Sequence, residues 1–82
     1  KRMDFIDVGF GNYVARSRIV AVASPDSLPV RRLVQDAKSV NRVIDVSCGK
    51  KTKSVILTDS EHVILSALDT FEISGSLNGG AA

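Results

Sequence analysis

The sequence predicts an α+β fold in which a small, curved antiparallel β-sheet has one amphipathic helix across one face. Short β-branched apolar runs alternate with polar turns along most of the chain, which is typical of antiparallel strands. One stretch, at about residues 28–39, instead has the spacing of a helix with a single apolar side. A chain of 82 residues suits one domain. We place that domain at residues 1–74, with residues 75–82 as a flexible tail.

The N-terminal part of the chain predicts a hairpin followed by a third strand. Residues 5–8 and 13–15 have strand character, and the turn between them contains Gly9 and Gly11. Glycine permits the positive φ of a tight turn, so we expect a structural role for both glycines. Residues 19–23 are apolar without interruption. We expect this strand to bury one face on the core and the other on a neighbouring subunit.

The helix at residues 28–39 has an apolar stripe at positions i, i+3, i+4 and i+7, formed by Val30, Leu33, Val34 and Ala37. Asp26 or Ser27 can cap its N-terminus. Pro29 falls in the first turn, where the missing N–H costs nothing, and we expect it to shape the helix start. Asn41 tolerates the left-handed conformation and marks the end of the helix.

The rest of the chain is organised around residues 43–68, which predict an antiparallel meander of three strands. The first of its two turns, residues 49–53, contains three lysines. The second turn contains two acids, Asp59 and Glu61, and no base. Successive turns of a meander lie at opposite ends of the sheet. We therefore expect one positive end and one negative end.

The charges of the whole chain are divided in the same way. All eleven Lys and Arg residues lie within residues 1–53, together with five acids, which gives this part a net charge of +6. Residues 54–82 hold four acids and no Lys or Arg, for a net charge of −4. Such an asymmetry is typical of a protein with one side that faces a polyanion. It is also compatible with a lysine turn that is only a solvated hairpin tip.

We expect no catalytic, metal or cofactor site. Cys48 is the single cysteine and His62 the single histidine, so the chain can form neither an intramolecular disulfide nor a cysteine–histidine metal cluster. Residues 49–52 resemble the end of a phosphate-binding P-loop, but a strand pattern and not a helix follows them. We therefore predict a protein that is not an enzyme and has no small-molecule substrate.

The candidate DNA-binding residues are the cations of the first turn and of two other segments: Lys50, Lys51, Lys53, Arg16, Arg18, Arg31 and Arg32. Lysine neutralises a phosphate as a point charge, and arginine can grip one with two hydrogen bonds. The aromatic residues lie away from the lysine turn, which argues against single-strand binding by base stacking. We therefore predict binding to the phosphates of duplex DNA, with a preference set by DNA shape more than by base contacts.

A single chain offers few phosphate contacts and a small core, so we expect self-association. A head-to-tail interface that closes gives a ring-shaped homo-oligomer. A ring that binds RNA, or a ring that serves as a structural scaffold, is the alternative. The lone cysteine and the lack of a signal-peptide pattern lead us to expect a cytoplasmic protein. No apolar run is long enough for a membrane span, so we expect no membrane partner.

Four segments resemble the extracellular-matrix regulatory protein family RemA, and the match runs from about residue 5 to residue 68. The segments are Phe5-Ile6-Asp7-Val8-Gly9-Phe10-Gly11-Asn12, Arg18-Ile19-Val20, Ser24-Pro25-Asp26-Ser27-Leu28-Pro29 and Thr58-Asp59-Ser60-Glu61-His62-Val63-Ile64-Leu65-Ser66-Ala67. The resemblance implies a bacterial DNA-binding transcriptional regulator, an activator of biofilm matrix genes. It implies a monomer similar to the LytTR-type DNA-binding module. It also implies a ring-shaped homo-oligomer, an octamer, with DNA wrapped around its perimeter.

The DNA-contacting motif of that family, Gly-Arg-Arg-Thr-Arg, stands in this chain as Gly49-Lys50-Lys51-Thr52-Lys53. Every positive charge is kept and every guanidinium is replaced, so phosphate contact is retained without the two-bond grip of arginine. Arg18 and Pro29 match the family pattern. The resemblance implies that Arg18 is a second DNA-facing or interface cation and that Pro29 shapes the start of the helix.

Overall fold

Two β-sheets and two α-helices make up the structure, a computed structural model that describes residues 4–79. The smaller sheet is formed by β1 (Phe5–Gly9) and β2 (Asn12–Ala15). The larger sheet is formed by β3 (Ile19–Ala23), β4 (Val43–Asp45), β5 (Ser54–Thr58) and β6 (Val63–Ser66). Between β3 and β4 lies helix α1 (Leu28–Ser39), and after β6 comes helix α2 (Thr70–Gly79). This arrangement confirms the predicted α+β fold.

The small sheet is the hairpin that the sequence predicts. Strands β1 and β2 pair antiparallel, with Ile6 opposite Val14. In the turn between them, Gly9 and Gly11 have φ values of 103° and 79°, a backbone conformation that favours glycine. The Gly9 N–H also donates a hydrogen bond to Asp7 Oδ1 at 2.8 Å. A short 3₁₀ turn, Arg16–Arg18, then leads into β3.

The larger sheet differs from the predicted antiparallel meander. Its strand order is β3-β5-β6-β4, in which β5 pairs antiparallel with β3 and β6 but β4 pairs parallel with β6. The prediction of an entirely antiparallel sheet is therefore wrong at β4. All four residues of β6 are buried, whereas β4 has three residues and exposes Ile44 and Asp45. A short strand with a charged residue suits a sheet edge, and the most buried strand takes the interior.

Helix α1 has the predicted bounds and lies across one face of the larger sheet. Ser27 Oγ accepts a hydrogen bond from the Val30 N–H at 3.3 Å, and Pro29 lies in the first turn. Asn41, just after the helix, has a φ of 58°, the left-handed conformation expected at a helix end. The helix and the sheet share one apolar cluster, formed by Val30, Val34, Ala37, Val43, Val55, Leu57, Val63 and Leu65.

The opposite face of the larger sheet packs against the hairpin and α2. Ile56 of β5 and Ile64 of β6 form a buried cluster with Ile6, Val8 and Ile73. Burial of these side chains is the main stabilising contribution expected on this face. The larger sheet is therefore the middle of three layers, and its charged loops project from its ends.

Helix α2 begins at Thr70 and ends at Gly79, so it extends into the segment that the sequence predicts as a flexible tail. Asp69 Oδ1 accepts the Glu72 N–H at 2.8 Å, and Glu72 Oε1 accepts the Asp69 N–H at 3.0 Å. This reciprocal pair is a capping box, which satisfies two backbone donors at the helix start. Ile73 is fully buried, and Leu77 packs against the same cluster one turn later.

The predicted flexible tail, residues 75–82, lies only partly within the described chain. Residues 75–79 belong to α2 and are helical, because the contact of Leu77 with the core holds this last turn. Residues 80–82 lie outside the described residues. Within residues 4–79, neither helix is long and apolar enough to cross a membrane.

Candidate nucleic-acid interface

The three lysines of the predicted DNA-binding turn lie in one loop, residues 46–53, which we call the lysine loop. It connects the edge strand β4 to β5 and passes across the end of β6. Both ends of the loop are bonded to β6. The Val46 N–H donates to the Leu65 carbonyl oxygen at 2.9 Å, and the Lys53 N–H donates to the Ser66 carbonyl oxygen at 2.8 Å. The loop is therefore anchored on both sides of Lys50 and Lys51.

The carboxylate of Asp45 fixes the start of the lysine loop. Its Oδ1 accepts the Ser47 hydroxyl at 2.6 Å and the Ser47 N–H at 2.9 Å. These two bonds, with the charge of Lys38 nearby, hold the pKa of Asp45 below its ordinary value, because they stabilise the ionised form. The ionised carboxylate thus holds the backbone where the strand ends and the loop begins.

Two residues in the left-handed backbone region turn the loop. Cys48 has a φ of 54° and Gly49 a φ of 77°. The Lys50 N–H donates to the Ser47 carbonyl oxygen at 3.0 Å and closes the turn. Two successive residues with positive φ turn the chain away from the extended path of a strand, and the strand predicted for residues 43–48 stops earlier, at Asp45. The Cys48 side chain is exposed.

The lysine side chains are exposed and face two directions. Lys51 and Lys53 line one depression of about 270 Å³, which Asp26 of the β3–α1 turn also lines. Lys50 is exposed outside that lining. Among residues 4–79, no ion pair joins any of the three ammonium groups to a carboxylate. The loop therefore presents three positive charges that are not in ion pairs with the described residues, although Asp26 and Asp69 line the same depression as Lys51 and Lys53.

Helix α1 adds two cations to this end of the molecule. Arg31 and Lys38 line a second groove, and Thr52 of the lysine loop lines it too. Arg31 is one of the predicted DNA-binding residues. Lys38 is not among them, although it follows Arg31 by seven residues, which places both on one side of the helix. The periodicity that locates the apolar stripe of α1 could have identified Lys38 as well.

Two of the other predicted arginines have different surroundings. Arg32 is exposed on α1, outside the lining of that groove. Arg16 binds helix α2, because its Nη1 and Nη2 atoms donate to the carbonyl oxygens of Leu77 and Ser76. Its Nε lies 3.7 Å from Asp4 Oδ2. A cation at the C-terminal end of a helix interacts favourably with the helix dipole, so Arg16 stabilises the fold.

Arg18 lies at the other end of the larger sheet from the lysine loop. Its Nε donates to Asp59 Oδ1 at 2.7 Å, and its carbonyl oxygen accepts the Asp59 N–H at 2.9 Å. Asp59 and Glu61 belong to the β5–β6 turn, and both are exposed. The lysine loop and the acidic β5–β6 turn thus lie at opposite ends of the sheet, as the sequence predicts, although β4 occupies an unexpected place. We call the end with the β5–β6 turn the negative end for its two acids, although Arg42 lies there as well and its Nη1 donates to the Ser60 carbonyl oxygen at 3.3 Å. Arg18 belongs to the negative end.

An apolar groove lies between α1 and the negative end of the sheet. Its volume is about 390 Å³. Its apolar lining is formed by Val20, Leu33, Ala37, Val40, Leu57 and Val63. Leu33 belongs to the predicted apolar stripe, yet its side chain is exposed because it points into this open groove. Asp36 and Glu61 add carboxylates to the lining.

Titratable side chains do not gather into a metal site in the part of the chain that the structure describes, where no group of three or more His, Cys, Asp or Glu could hold an ion. His62 Nδ1 is hydrogen-bonded to Ser60 Oγ at 2.8 Å. This contact is local, within the β5–β6 turn, and leaves the histidine without an acid–base partner typical of a catalytic site.

A comparison with protein families decides which group this chain belongs to. The model of the RemA-like family, described as Extracellular matrix regulatory protein A-like, matches residues 5–77. The chain belongs to the RemA-like family. This result confirms the resemblance found in the sequence. It also carries the RemA-like match beyond residue 68 into helix α2.

Curated relatives are similar over most of their length. A protein of Dictyoglomus turgidum is 49% identical over 78 residues, which are 95% of this chain and 92% of the relative. A protein of Synechococcus elongatus is 49% identical over 72 residues, 88% of this chain and 83% of the relative. A protein of Nitratidesulfovibrio vulgaris is 55% identical over 65 residues, 79% of this chain and 76% of the relative. Each of the three is named as a regulatory protein.

Proposed function

We propose that this RemA-like chain is a regulatory protein that binds duplex DNA through the lysine loop. The observation that supports this most is the anchoring of the loop, whose backbone is bonded to β6 at both ends. Its three exposed ammonium groups have no carboxylate partner among the described residues. Like charges held close together repel, and a polyanion relieves that repulsion. A fixed backbone also reduces the entropy lost on binding.

Arg31 and Lys38 extend the proposed DNA-binding surface along α1. Both line a groove with Thr52, so the cations of the helix and the loop are neighbours at the positive end. Each lysine neutralises one phosphate as a point charge, and Arg31 can bind one with two hydrogen bonds. Contacts of this kind follow DNA shape and bendability more than base edges. Arg16, Arg18 and Arg32 lie outside this surface, and their role in DNA binding stays a prediction.

The chain acts, in this proposal, as a ring-shaped homo-oligomer. Among the described strands, β3 and β4 are the edges of the larger sheet, and each has one unpaired side. Unpaired edges favour association. The apolar groove beside β3 exposes Val20, Leu33 and Val40. A head-to-tail contact between unlike surfaces gives a ring when its rotation closes, and a ring multiplies the few phosphate contacts of each chain, so that DNA can wrap or bend around it.

The regulated genes and the compartment follow from the same proposal. The description of the family as an extracellular matrix regulatory protein supports the biofilm matrix genes as targets. A regulator of bacterial transcription acts in the cytoplasm, where the DNA is. The octameric number of subunits and the likeness of the monomer to a LytTR-type module stay predictions.

Competition between two nucleic acids tests the proposal against its alternatives. Purified protein is incubated with labelled duplex DNA and challenged with single-stranded RNA of the same length, at low salt. We expect duplex DNA to bind and single-stranded RNA to displace it poorly, because no aromatic residue lines the depression of Lys51 and Lys53. Preference for RNA would favour an RNA-binding ring. Binding of neither would favour a structural scaffold.

A further inference from the structure

The groove that α1 and the lysine loop share has a chemical character of its own, and we call it the anion groove. Its volume is about 260 Å³. Its floor is apolar and is formed by Val34, Val55 and Leu65, of which the last two are buried. Its rim is polar and is formed by Arg31, Gln35, Lys38 and Thr52, with Pro25 completing the lining.

The charged side chains that line the anion groove are both cations, Arg31 and Lys38. Within residues 4–79, no carboxylate lines it. Asp36 and Glu61, by contrast, line the apolar groove, and Asp26 and Asp69 line the depression beside the lysine loop. The combination of two cations with an apolar floor and no acid therefore separates the anion groove from these two neighbours. An anionic ligand enters it without repulsion from its walls.

A ligand for this groove needs an anionic group and an apolar, flat part. Inorganic phosphate fits the cations but makes no use of the apolar floor. An uncharged ring covers the floor but forms no charge-assisted hydrogen bond with Arg31 or Lys38. A ring that carries phosphates uses both, because phosphates accept charge-assisted hydrogen bonds from guanidinium and ammonium groups. Gln35 and Thr52 supply further hydrogen-bonding groups on the rim.

The volume of the groove limits how much of such a ligand it can enclose. Sites for drug-sized molecules have volumes of about 300–1,000 Å³, and the anion groove, at about 260 Å³, holds only part of a molecule of that size. Arg31 and Lys38 stand two helical turns apart, about 10.5 Å along the axis at 1.5 Å per residue. Their long side chains flank the groove and can converge on one phosphate chain. We propose that the anion groove binds a free mononucleotide, with its base on the apolar floor and its phosphates at Arg31 and Lys38.

Nucleotide binding at this place affects DNA binding. Thr52 lines the anion groove and stands between Lys51 and Lys53, so a bound nucleotide places negative charge beside the lysine loop and weakens its attraction for DNA phosphates. Linkage makes the effect reciprocal, so duplex DNA weakens nucleotide binding by the same factor. This consequence rests on the proposed DNA binding, whereas nucleotide binding itself does not.

Calorimetric titration of the native protein at constant ionic strength tests the proposal with three probes: ATP, inorganic tripolyphosphate and adenosine. We expect ATP to saturate at one molecule per chain. Tripolyphosphate and adenosine should each bind at least about tenfold more weakly, because each uses only one part of the groove. Equal affinity for ATP and tripolyphosphate would overturn the proposal, since it would show attraction to surface charge alone. Absence of saturable ATP binding would overturn it as well.

Three variants that each lower the net charge by one test whether ATP binds in the anion groove. Arg31→Ala and Gln35→Glu each make the lining of the groove one charge more negative, and each should weaken ATP binding about tenfold. Arg32→Ala removes one charge at the next helix position, outside the lining, and should change the affinity less than about twofold. All three positions are exposed on α1, so the fold is retained, which circular dichroism verifies. Equal losses in Arg31→Ala and Arg32→Ala would contradict binding in the groove.

The terminal nucleotide of a nucleic-acid strand presents the same base and phosphate groups as a free mononucleotide. A short single strand with a 5′-phosphate is therefore added as a competitor of ATP. Weak competition supports the free nucleotide. Tighter binding of the strand than of ATP, with the same loss in Arg31→Ala, would show that the groove takes strand ends. Lys50→Ala/Lys51→Ala separates the two proposals, because it should weaken duplex binding strongly and change the ATP affinity much less, since neither lysine lines the groove.

Discussion

Ser54 and Ser66 face each other across β5 and β6, and both side chains are fully buried. Their hydroxyl groups have different surroundings. Ser66 Oγ donates to the Val8 carbonyl oxygen at 2.8 Å and accepts the Leu68 N–H at 3.0 Å. Ser54 Oγ has no hydrogen-bond partner among residues 4–79. The same deletion at two paired positions should therefore have opposite effects on stability.

Ser66→Ala should lower the free energy of unfolding by about 1–3 kcal/mol, because it leaves the Val8 carbonyl and the Leu68 N–H without their partner. Ser54→Ala should leave that free energy unchanged or raise it by about 1 kcal/mol, because a buried hydroxyl without a partner costs free energy. Denaturant unfolding of the two variants measures both values. A larger loss in Ser54→Ala than in Ser66→Ala would contradict the described core.

Removal of the Asp45 carboxylate should weaken DNA binding, although it removes a negative charge. Asp45→Ala deletes both bonds to Ser47 that fix the start of the lysine loop. A looser loop loses more entropy when it binds DNA, so we expect duplex affinity to fall about two- to fivefold. Fluorescence anisotropy with a labelled duplex measures the change.

Asp26→Asn is the matched control for that experiment. It removes one charge from the depression of Lys51 and Lys53 and leaves the bonds of the loop intact. Duplex affinity should rise by a similar factor of about two to five, because a carboxylate beside the lysines reduces the positive potential. If Asp45→Ala also strengthened binding, the anchoring of the loop would have no part in it.

The stability of the folded chain should depend on pH through Asp45. Hydrogen bonds from Ser47 and the charge of Lys38 lower the pKa of this carboxyl in the folded chain. Such a group stabilises the fold above its unfolded pKa, about 3.9 for aspartate, and loses that contribution as the pH falls through the lower folded value. Asp45→Asn should therefore be less stable than the native chain near pH 7, with a difference that shrinks below about pH 4. A difference that stays constant into acid would contradict this origin.

A charge in the apolar groove should disrupt self-association. Val40 lines that groove and is 59% exposed, so Val40→Asp should leave the single chain folded. A carboxylate buried at an interface is costly, so we expect a smaller species in sedimentation velocity. Phe71→Asp is the control, because Phe71 is 84% exposed and lies outside this groove. Dissociation by Phe71→Asp and not by Val40→Asp would place the interface on α2.

Elements that depend on local pattern could be predicted from the sequence. Helix α1 follows from its apolar stripe, its Ser27 cap and Pro29, and the structure gives it the expected bounds. The β1–β2 hairpin follows from Gly9 and Gly11. The two charged ends of the sheet follow from the pairing of β5 with β6, which puts their connections at opposite ends. Each of these signals involves residues only a few positions apart.

The order of the strands could not be predicted in the same way. An alternating or apolar run does not show whether its neighbour is parallel or antiparallel. Strand β4 is consecutive with β5 in the sequence, yet the loop of residues 46–53 is long enough to pass across β6. Residues 75–79 of helix α2 were predicted as part of a tail because small residues dilute the helical pattern there. Its available signals were Asp69 and Glu72 of the capping box and the spacing of Ile73 and Leu77.

Only part of the candidate site could be predicted from the sequence, because the rest depends on contacts between distant segments. The lysines of one loop are neighbours by sequence alone. The place of Arg18 depends on the register of β3 against β5, where Ile19 lies opposite Thr58, and no local pattern sets that register. The place of Arg31 and Lys38 in one groove with Thr52 depends on how α1 lies on the sheet, which also requires the folded structure.

The salt dependence of duplex-DNA affinity tests the central claim most directly. It is measured for the native chain, for Lys50→Ala/Lys51→Ala, and for Arg18→Ala/Arg32→Ala, which removes the same charge elsewhere. Affinity should fall with salt at a logarithmic slope of about −0.9 per phosphate contact. The lysine variant should lose about 1.8 of that slope per bound chain at unchanged oligomer size, and the arginine variant should keep most of it. Equal slopes in the native chain and the lysine variant, or equal losses in both variants, would contradict a DNA-binding lysine loop.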